Sequence, residues 1–281
     1  MPRVLITGTS SGIGLATTVE LAKHGWDVVA TMRDLTKRKE LDRALETAGV
    51  DKRVTVSQLD VADRQSIDRA VADLDLANRS LDAVVHNAGV AAGGAFEDLD
   101  EANIRRIMEV NYFGVLALTK RLLPTFRAQR RGRILIISSE SAFAGQPANS
   151  PYCASKWAIE GWAESIAYEV EHFGIDIILV EPGPYRTSIW ESSPRVMPKE
   201  SAYLPMMRHL EVTADALVAN VAGDPVDVGK VVAKALGSRR PRFRYAVGPT
   251  ARFNHFTRGK LPSTVVRKLI GRYLGLGRVR W

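Results

Sequence analysis

The 281-residue sequence predicts an α/β protein, in which a doubly wound parallel sheet carries helices on both faces. Short runs rich in Val and Ile are apolar on both faces, as in strands buried between two helix layers. These runs alternate with helix-length segments, and a glycine-rich turn joins the first run to the first such segment. Since no repeat or linker interrupts this alternation, we expect one domain over residues 1–281.

The strand candidates are, in chain order, RVLITG, DVVATM, VTVSQLDV, LDAVVHNAG, RILIISS and IDIILVEPG. The helix-length segments between them include Gly14–Gly25, Arg64–Arg79 and Glu101–Arg130. Further along, DPVDVGKVVAKALGS predicts a helix that Asp224 caps and Pro225 begins. The run FRYAVG predicts a last strand at the edge of the sheet.

Composition excludes several classes of protein. With 46% hydrophobic and 25% charged residues, the chain has the composition of a soluble globular protein. Its one cysteine, Cys153, excludes an internal disulfide and favours a reducing, cytoplasmic location. The five histidines lack metal-ligand spacing, so we expect no metal. We also expect no signal peptide before the first strand and no membrane span, since no apolar run approaches about 20 residues.

The net charge of +8 is unevenly placed along the chain. Residues 228–281 contain 14 Lys or Arg and no Asp or Glu, which leaves about −6 on residues 1–227. Two interpretations of the basic C-terminal extension, residues 250–281, remain open. Its arginines either form a solvated face that helps to hold the segment, or they face an anionic partner.

The run TGTSSGIG, at residues 7–14, leaves the first strand and enters the first helix. Glycines there let the backbone turn tightly and approach a pyrophosphate, which rests on the helix N-terminus. A plain glycine-rich turn is the alternative, but the position of the run favours a Rossmann-type dinucleotide site. The residues that we predict to hold the phosphates are Gly8, Ser10, Ser11, Gly12, Ile13 and Gly14.

The end of the second strand predicts which dinucleotide binds. NAD-preferring folds usually place an acid there to bind the ribose hydroxyls. Here the strand ends with Met32, which cannot bind a diol, and Arg33, which can pair with a 2′-phosphate. We therefore predict NADP (NADPH) as the cofactor. The alternative is that Arg33 is merely exposed and Asp34 takes the role of the acid.

The segment PYCASK places Tyr152 and Lys156 four residues apart, about one helical turn. Ser150 is the expected N-cap, Pro151 the first helical residue and Gly174 the stop. Such a pair is common on helices, and by itself it is weak support for a catalytic site.

Taken together, these motifs resemble the short-chain dehydrogenase/reductase family, in its compact single-domain branch. The match covers roughly residues 4–187, and TMRDL, YCASKWAIEG and EPGPYRT look most like 17β-hydroxysteroid and retinol dehydrogenases. Two departures are His86, in place of the more usual Asn, and Ser11, where many NADP-preferring members carry Lys or Arg. The resemblance implies further cofactor contacts from Asp60, Val61, Asn87, Ala88, Gly89, Lys156, Pro182, Gly183 and Thr187.

The resemblance also implies an oxidoreductase with four catalytic residues. Tyr152 is the expected general acid or base, Ser139 binds the substrate oxygen, and Asn111 anchors a water that relays protons. The alternatives are that Ser139 merely ends a strand and that Asn111 holds a helix kink. Lys156 binds the nicotinamide ribose and, with the oxidised nicotinamide, lowers the pKa of Tyr152. Ionising tyrosine at neutral pH needs a shift of about three units from its usual pKa, or roughly 4 kcal/mol. An ammonium group about 4 Å away supplies approximately that at an effective dielectric near 20.

Residues 188–223 occupy the place of the variable substrate lid of this family. An apolar wall there favours a hydrophobic ketone, aldehyde or alcohol as substrate. The alternative is that these side chains pack the lid onto the body of the protein. The wall candidates are Trp190, Met197, Tyr203, Met206 and Met207.

Other functions remain alternatives. A sugar-nucleotide epimerase of the extended branch fits the glycine spacing and the modest length poorly. A non-catalytic NADP-binding redox sensor has no evident need to keep all four catalytic residues. Nucleic-acid binding would rest on the basic extension alone, without a recognised motif. We therefore expect a small-molecule enzyme, assembled as a homodimer or homotetramer.

Within the basic C-terminal extension, LPSTVVRKLIGRYLGL predicts a helix. An apolar stripe runs along one side of this helix, and Val266 and Ile270 add to it. Such a helix either packs on the body or on a second subunit, or makes weak peripheral contact with a membrane. The stripe contains Leu261, Val265, Leu269 and Tyr273.

Overall fold

In the computed structural model, which describes residues 1–187, 189, 193–257 and 259–279, seven parallel strands form one sheet. Their order is β3-β2-β1-β4-β6-β7-β9, and β5 and β8 form a separate two-stranded pair. This arrangement confirms the doubly wound α/β fold. The strands are β1 Arg3–Thr7, β2 Asp27–Met32, β3 Val54–Gln58, β4 Ala83–His86, β5 Gly93–Gly94, β6 Gly132–Ile137, β7 Ile175–Pro182, β8 Arg195–Val196 and β9 Arg244–Val247.

Helices cover both faces of the sheet. Strand β1 shows that both faces are apolar and need covering, since Val4 and Ile6 pack into one apolar cluster and Leu5 into the other. Helices α1, α2 and α8 contribute to the first cluster, and α3, α5 and α6 to the second. The helices are α1 Gly12–Lys23, α2 Lys39–Ala48, α3 Arg64–Ala72, α4 Glu101–Met108, α5 Gly114–Gln129, α6 Ser150–Val170, α7 Leu204–Asn220, α8 Pro225–Gly237, α9 Pro249–Thr257 and α10 Ser263–Tyr273.

Two of the expected helix boundaries were wrong. Helix α6 begins at Ser150 itself, so Asn149 occupies the cap position, and its side chain makes no capping hydrogen bond. The segment predicted as Arg64–Arg79 is helical only to Ala72, and the chain then turns at Asp75, whose φ is +50°. The segment Glu101–Arg130 is helical from Glu101 to Gln129, as predicted, and contains one π-helical turn at Glu109–Phe113 between α4 and α5.

Other local predictions were confirmed. Asp224 caps α8 by accepting a 2.9 Å hydrogen bond from the Val226 amide, and Pro225 lies in the first turn. Gly174 adopts a left-handed φ of +72° after α6 and its following 3-10 turn. The last strand, β9, lies at the edge of the sheet beside β7.

The segment after residue 187 packs over one edge of the body. Strand β8 pairs with β5, which follows β4 in the chain. The Ser201 hydroxyl donates to Asp98 at 2.6 Å, and the Tyr203 hydroxyl donates to Glu97 at 2.9 Å. Met207 is buried, whereas Trp190 lies outside the described residues. At least Tyr203 therefore anchors the lid to the body through its polar end.

Helices α9 and α10 form the last part of the described chain. Asn254 donates to the Glu140 carboxylate at 3.3 Å, and a nitrogen of His255 lies 3.0 Å from Glu181. At the end of α10, the His209 ring on α7 contacts the carbonyl oxygen of Leu274 at 2.8 Å. The predicted C-terminal helix is confirmed over Ser263–Tyr273. Within the described part of the chain, no helix has the length and apolar character needed to cross a membrane.

Candidate active site

The candidate site lies at the carboxyl edge of the sheet, where β1, β4, β6 and β7 end side by side. In open parallel sheets, ligands bind at this edge near the point where the strand order reverses. Here the reversal lies between β1 and β4, whose following loops contain TGTSSGIG and HNAG. Nearly all the sequence-predicted site residues therefore belong to neighbouring loops and helix starts.

The glycine-rich loop has the geometry that its sequence predicts. Gly8 and Gly12 have φ values of +72° and +57°, which a residue with a side chain rarely adopts. A Cβ atom on Gly14 would lie 2.1 Å from the carbonyl oxygen of Gly8, so the loop can close only with glycine there. Helix α1 begins at Gly12, which directs its free amides at this edge. Ser10, Ser11 and Ile13 are half-buried in the same loop.

Thr7 holds the first two loops together, and sequence reasoning missed it. Its hydroxyl oxygen accepts hydrogen bonds from the amides of Asn87 and Ala88, both at 3.0 Å. The Asn87 side chain in turn donates to the carbonyls of Thr7 and Gly8, at 2.9 and 2.8 Å. Asn87 therefore supports the phosphate loop through these bonds. The available signal was a threonine that ends a buried strand immediately before the loop.

The remaining predicted cofactor residues border the same edge. A Cβ atom on Gly12 would contact the Thr187 side chain at 3.2 Å, so the segment after β7 lies against the glycine-rich loop. Asp60 accepts a hydrogen bond from the Ala62 amide at 3.0 Å. Val61 packs so tightly against α5 that only glycine fits at Gly114. The other members of the set are Gly89 beside Asn111, and Pro182 and Gly183 at the end of β7.

Arg33 and Asp34, the two residues after β2, differ in their contacts. Arg33 is exposed, and no ion pair of its guanidinium occurs among the described residues. Asp34 accepts hydrogen bonds from the amide and hydroxyl of Thr36, at 3.0 and 2.7 Å. Its carboxylate is thus engaged in capping the following 3-10 turn. Met32 is buried, so Arg33 is the side chain that the strand presents at the predicted ribose position.

Ser139, Tyr152 and Lys156 come together at the end of β6 and the start of α6. Tyr152 and Ser139 share a side-chain hydrogen bond, which favours the charged form of the phenol. The Lys156 ammonium donates to the carbonyl oxygen of Ile137 at 2.9 Å and lies 5.6 Å from the centre of the Tyr152 ring. Ser139 and Lys156 are buried, and Tyr152 is half-buried beside them.

The protein's own groups move the pKa of Tyr152 upward. Burial, which outweighs the favourable bond from Ser139, raises the pKa of Tyr152 to about 12. Burial also lowers the pKa of Lys156 to about 8, against the opposing charge of Glu160. The protein's own groups thus favour the protonated phenol at neutral pH.

Asn111 has a more structural position than sequence reasoning assigned to it. It lies in the π-helical turn between α4 and α5 and is buried. Its amide group donates to the Val90 carbonyl and the Ser155 hydroxyl, at 2.9 and 3.0 Å, and its oxygen accepts from the Val90 amide at 2.9 Å. The side chain therefore joins the loop after β4 to Ser155 of α6, which is the residue before Lys156.

Buried carboxylates around the site were not predicted. Glu160, one turn after Lys156, has a side chain only 2% exposed and pairs with Arg244 of β9 at 2.9 Å. Glu140 follows Ser139, and burial raises the pKa of its carboxyl. The only sequence signal was an acid within an otherwise apolar helical or strand-end pattern. Their partners lie 84 and 114 residues away in the chain.

His86, which departs from the family pattern, is a satisfied core residue. It is 3% exposed, and its Nε2 lies 2.9 Å from the Thr119 hydroxyl. Burial lowers the pKa of His86 to about 3, so it is neutral at ordinary pH. Among the described residues, no group of three or more His, Cys, Asp or Glu is arranged to hold a metal ion.

Solved structures of similar proteins contain both dinucleotides. A metagenomic short-chain oxidoreductase in complex with NADP is 25% identical, with a TM-score of 0.70 over 88% of this chain and 97% of that one. A protein from Burkholderia phymatum in complex with NAD is 23% identical, with a TM-score of 0.74 over 91% and 93%, and shows the shared fold.

Sequence comparisons place the chain in one family. The family model described as short chain dehydrogenase matches residues 2–197. Retinol dehydrogenase 8 of Bos taurus is 38% identical over 86% of this chain and 80% of its own length. The 17-beta-hydroxysteroid dehydrogenase type 1 of Homo sapiens is 34% identical over 86% and 76%. A short-chain dehydrogenase structure from Streptomyces avermitilis is 29% identical, with a TM-score of 0.79 over 99% of this chain and 98% of that one. The chain therefore belongs to the short-chain dehydrogenase family of oxidoreductases.

Proposed function

We propose that this protein is an NADP(H)-dependent oxidoreductase for a hydrophobic ketone or aldehyde and the corresponding alcohol. The observation that carries the proposal is the meeting of Ser139, Tyr152 and Lys156 beside the glycine-rich loop. The amides in the first turn of α1 and the side chain of Arg33 suit a phosphorylated dinucleotide. When bound, that cofactor supplies or accepts the hydride.

In this proposal Tyr152 is the general acid and base. Burial keeps its phenol protonated, which is the form that donates a proton to a ketone oxygen during reduction. Ser139 hydrogen-bonds the same oxygen as its charge changes. Lys156 binds the ribose and, while protonated, favours the phenolate that alcohol oxidation requires. Asn111 holds the loop after β4 against Ser155 of α6. The proposed water relay starts from Asn111.

The preference for NADP rests on the end of β2. Asp34 is engaged with Thr36, which favours Arg33 as the side chain that meets the 2′-position of the ribose. An exposed guanidinium binds a phosphate through charge-assisted bonds. Similar proteins with NADP and with NAD are both known, so the argument depends on these residues of this chain.

The proposed substrate is apolar. The printed names of two similar proteins refer to retinol and to a hydroxysteroid, both hydrophobic alcohols. The lid supplies Met197, Met206 and the buried Met207, whose flexible thioethers adapt to varied apolar shapes. The proposal includes a reducing, cytoplasmic location, which the single free Cys153 favours, and a homodimer or homotetramer.

Tyr152→Phe tests the chemistry. We expect it to abolish turnover and to leave NADPH affinity nearly unchanged, because it removes the proton donor and leaves the phosphate loop intact. Lys156→Ala should impair both turnover and NADPH binding. Activity is measured by NADPH absorbance with a panel of apolar ketones, and affinity by fluorescence titration. Retention of most of kcat by Tyr152→Phe would contradict the assignment, and NADPH binding without turnover of any ketone or alcohol would favour a redox sensor.

Arg33→Ala tests the cofactor preference. Loss of one charge-assisted contact should weaken NADPH binding by about 1.5–3 kcal/mol, or roughly 10- to 150-fold. NADH binding should change little. Arg38→Ala, at a nearby exposed arginine that already pairs with Asp42, is the matched control. Equal weakening of both cofactors, or a wild-type preference for NADH, would show that Arg33 does not select the 2′-phosphate.

A further inference from the structure

The last two helices expose large apolar side chains and basic side chains together. The apolar members are between 36% and 66% exposed, which is unusual for residues of this size. We call the exposed face of α9, α10 and their connection the basic apolar surface. Its apolar members are Phe253, Phe256, Leu261, Val265, Leu269 and Tyr273. Its exposed basic members are Arg252, Lys260, Arg267, Lys268 and Arg272.

Helix α10 turns one side to the protein and the other outward. Val266 and Ile270, four residues apart, are half-buried and face the body. Val265 and Leu269 are exposed on a neighbouring stripe, with Lys268 beside them at helical spacing. The outward half of the helix therefore alternates apolar and basic side chains instead of separating them.

The charge of this region selects among possible partners. Residues 250–281 contain eight Lys or Arg and no acidic residue. In a twofold dimer through this surface, the same patch would meet itself and bring like charges together. A nucleic acid would engage the basic side chains but leave the large apolar ones in water. An anionic lipid surface satisfies both, since acyl chains take the apolar side chains and headgroups take the cations.

The surface also adjoins the candidate active site. Asn254 of α9 donates to Glu140, the residue after Ser139, and the His255 ring packs edge-on against Phe143 at 5.9 Å. At the far end of α10, Leu274 contacts His209 of the lid helix. Contact with a bilayer through this surface would thus bring the lid and the segment after Ser139 close to lipid.

We propose that the basic apolar surface docks the protein reversibly onto anionic bilayers. Binding is peripheral, because the helices are short and only a few apolar side chains reach the acyl boundary. Delivery of an apolar substrate from lipid to the site follows if the proposed function holds. Docking itself does not depend on that function, and its test requires neither cofactor nor turnover.

Vesicle co-sedimentation of the full chain tests the electrostatic part. We expect binding to vesicles of equimolar phosphatidylcholine and phosphatidylglycerol at low ionic strength, and little binding to phosphatidylcholine alone. The double variant Arg267→Glu/Lys268→Glu should bind at least about tenfold more weakly. The matched control is Lys230→Glu/Lys234→Glu on α8, which makes the same change of charge at exposed positions and should stay within about twofold.

A second pair of variants tests the apolar part. Phe256→Ser should weaken vesicle binding, whereas Tyr168→Ser, at an 82% exposed aromatic residue on α6, should not. Circular dichroism confirms that each variant is folded, and Tyr152→Phe should bind vesicles like the wild type. The proposal is overturned by absent binding at low ionic strength, by equal binding to neutral vesicles, or by equal effects of surface and control variants. Self-association through α10, or tighter binding to a DNA or RNA duplex than to vesicles, also overturns it.

Discussion

The body of the protein, residues 3–247, and its basic C-terminal extension use the same helical patterns in opposite ways. In α5, the apolar positions Leu118, Leu122 and Phe126 are fully buried against the sheet. In α10, Val265 and Leu269 recur at the same spacing, yet they are 39% and 44% exposed. An apolar stripe thus predicts a helix in both regions. The pattern does not predict which part of the protein, if any, covers the stripe.

The two regions also differ in what holds them in place. The body is held by two apolar clusters, one on each face of the sheet. Among the described residues of the extension, only Ala251 is buried, and Val266 and Ile270 are half-buried. Polar contacts join Asn254 to Glu140, His255 to Glu181 and Leu274 to His209. Because burial contributes far more than a few hydrogen bonds, we expect the two regions to respond differently to equivalent substitutions.

The largest expected difference concerns apolar truncation. Phe126→Ala should lower the free energy of unfolding by about 3–5 kcal/mol, because it leaves a cavity in a fully buried cluster. Leu269→Ala should change it by about 1 kcal/mol or less, because that side chain is 44% exposed and lies outside both apolar clusters. Urea denaturation of both variants measures the difference. A large loss at Leu269 would show that the extension is part of the cooperative core.

The buried His86 should make the free energy of unfolding fall at acid pH. His86 has a folded-state pKa of about 3, below the ordinary value of about 6.5, so the unfolded chain binds more protons as the pH falls through this window. At about pH 4 this costs the wild type on the order of 3 kcal/mol of stability relative to neutral pH. His86→Asn should remove that loss. His172→Asn, at an exposed histidine, should not. Parallel pH dependence in all three proteins would contradict the assignment.

The pH dependence of turnover tests the buried lysine. The pKa of Lys156 is about 8, so kcat/KM for NADPH should fall about tenfold per pH unit above that value as the ammonium group loses its proton. Glu160→Gln should move the decline to lower pH, since the charge of Glu160 raises the pKa of Lys156. Glu164→Gln, which contacts the same Arg244 from a more exposed position, should leave it in place. An unshifted decline in Glu160→Gln would remove Glu160 from this role.

The smallest expected effect lies in the extension. His209→Ala removes the contact with the carbonyl oxygen of Leu274, worth about 1 kcal/mol if it is an ordinary hydrogen bond. Amide exchange in α10 should therefore quicken about fivefold, while exchange in β4 and β6 stays the same. Exchange that quickens equally throughout the chain would show that the extension and the body open as one unit.

Local patterns in the sequence predicted much of the fold. Strands β1, β2, β6 and β7 were predicted because continuous apolar runs bounded by Gly, Asp or Ser have few other stable arrangements between helix layers. The glycines at Gly8, Gly12 and Gly14 were predicted because the turn needs positive φ values and a close backbone approach. Such features depend on residues that are neighbours in the chain.

The sequence by itself therefore determined the order of the strands along the chain, the position of the glycine-rich loop and the spacing of Tyr152 and Lys156. Only the tertiary structure decided the role of Thr7, which holds Asn87 from 80 residues away, and the pairing of Glu160 with Arg244. It also decided that the pKa of Tyr152 rises, and that α10 presents its apolar stripe outward. The physical reason is that dihedral preferences and periodicity act between near neighbours, whereas desolvation and side-chain pairing depend on which distant segments the fold brings together.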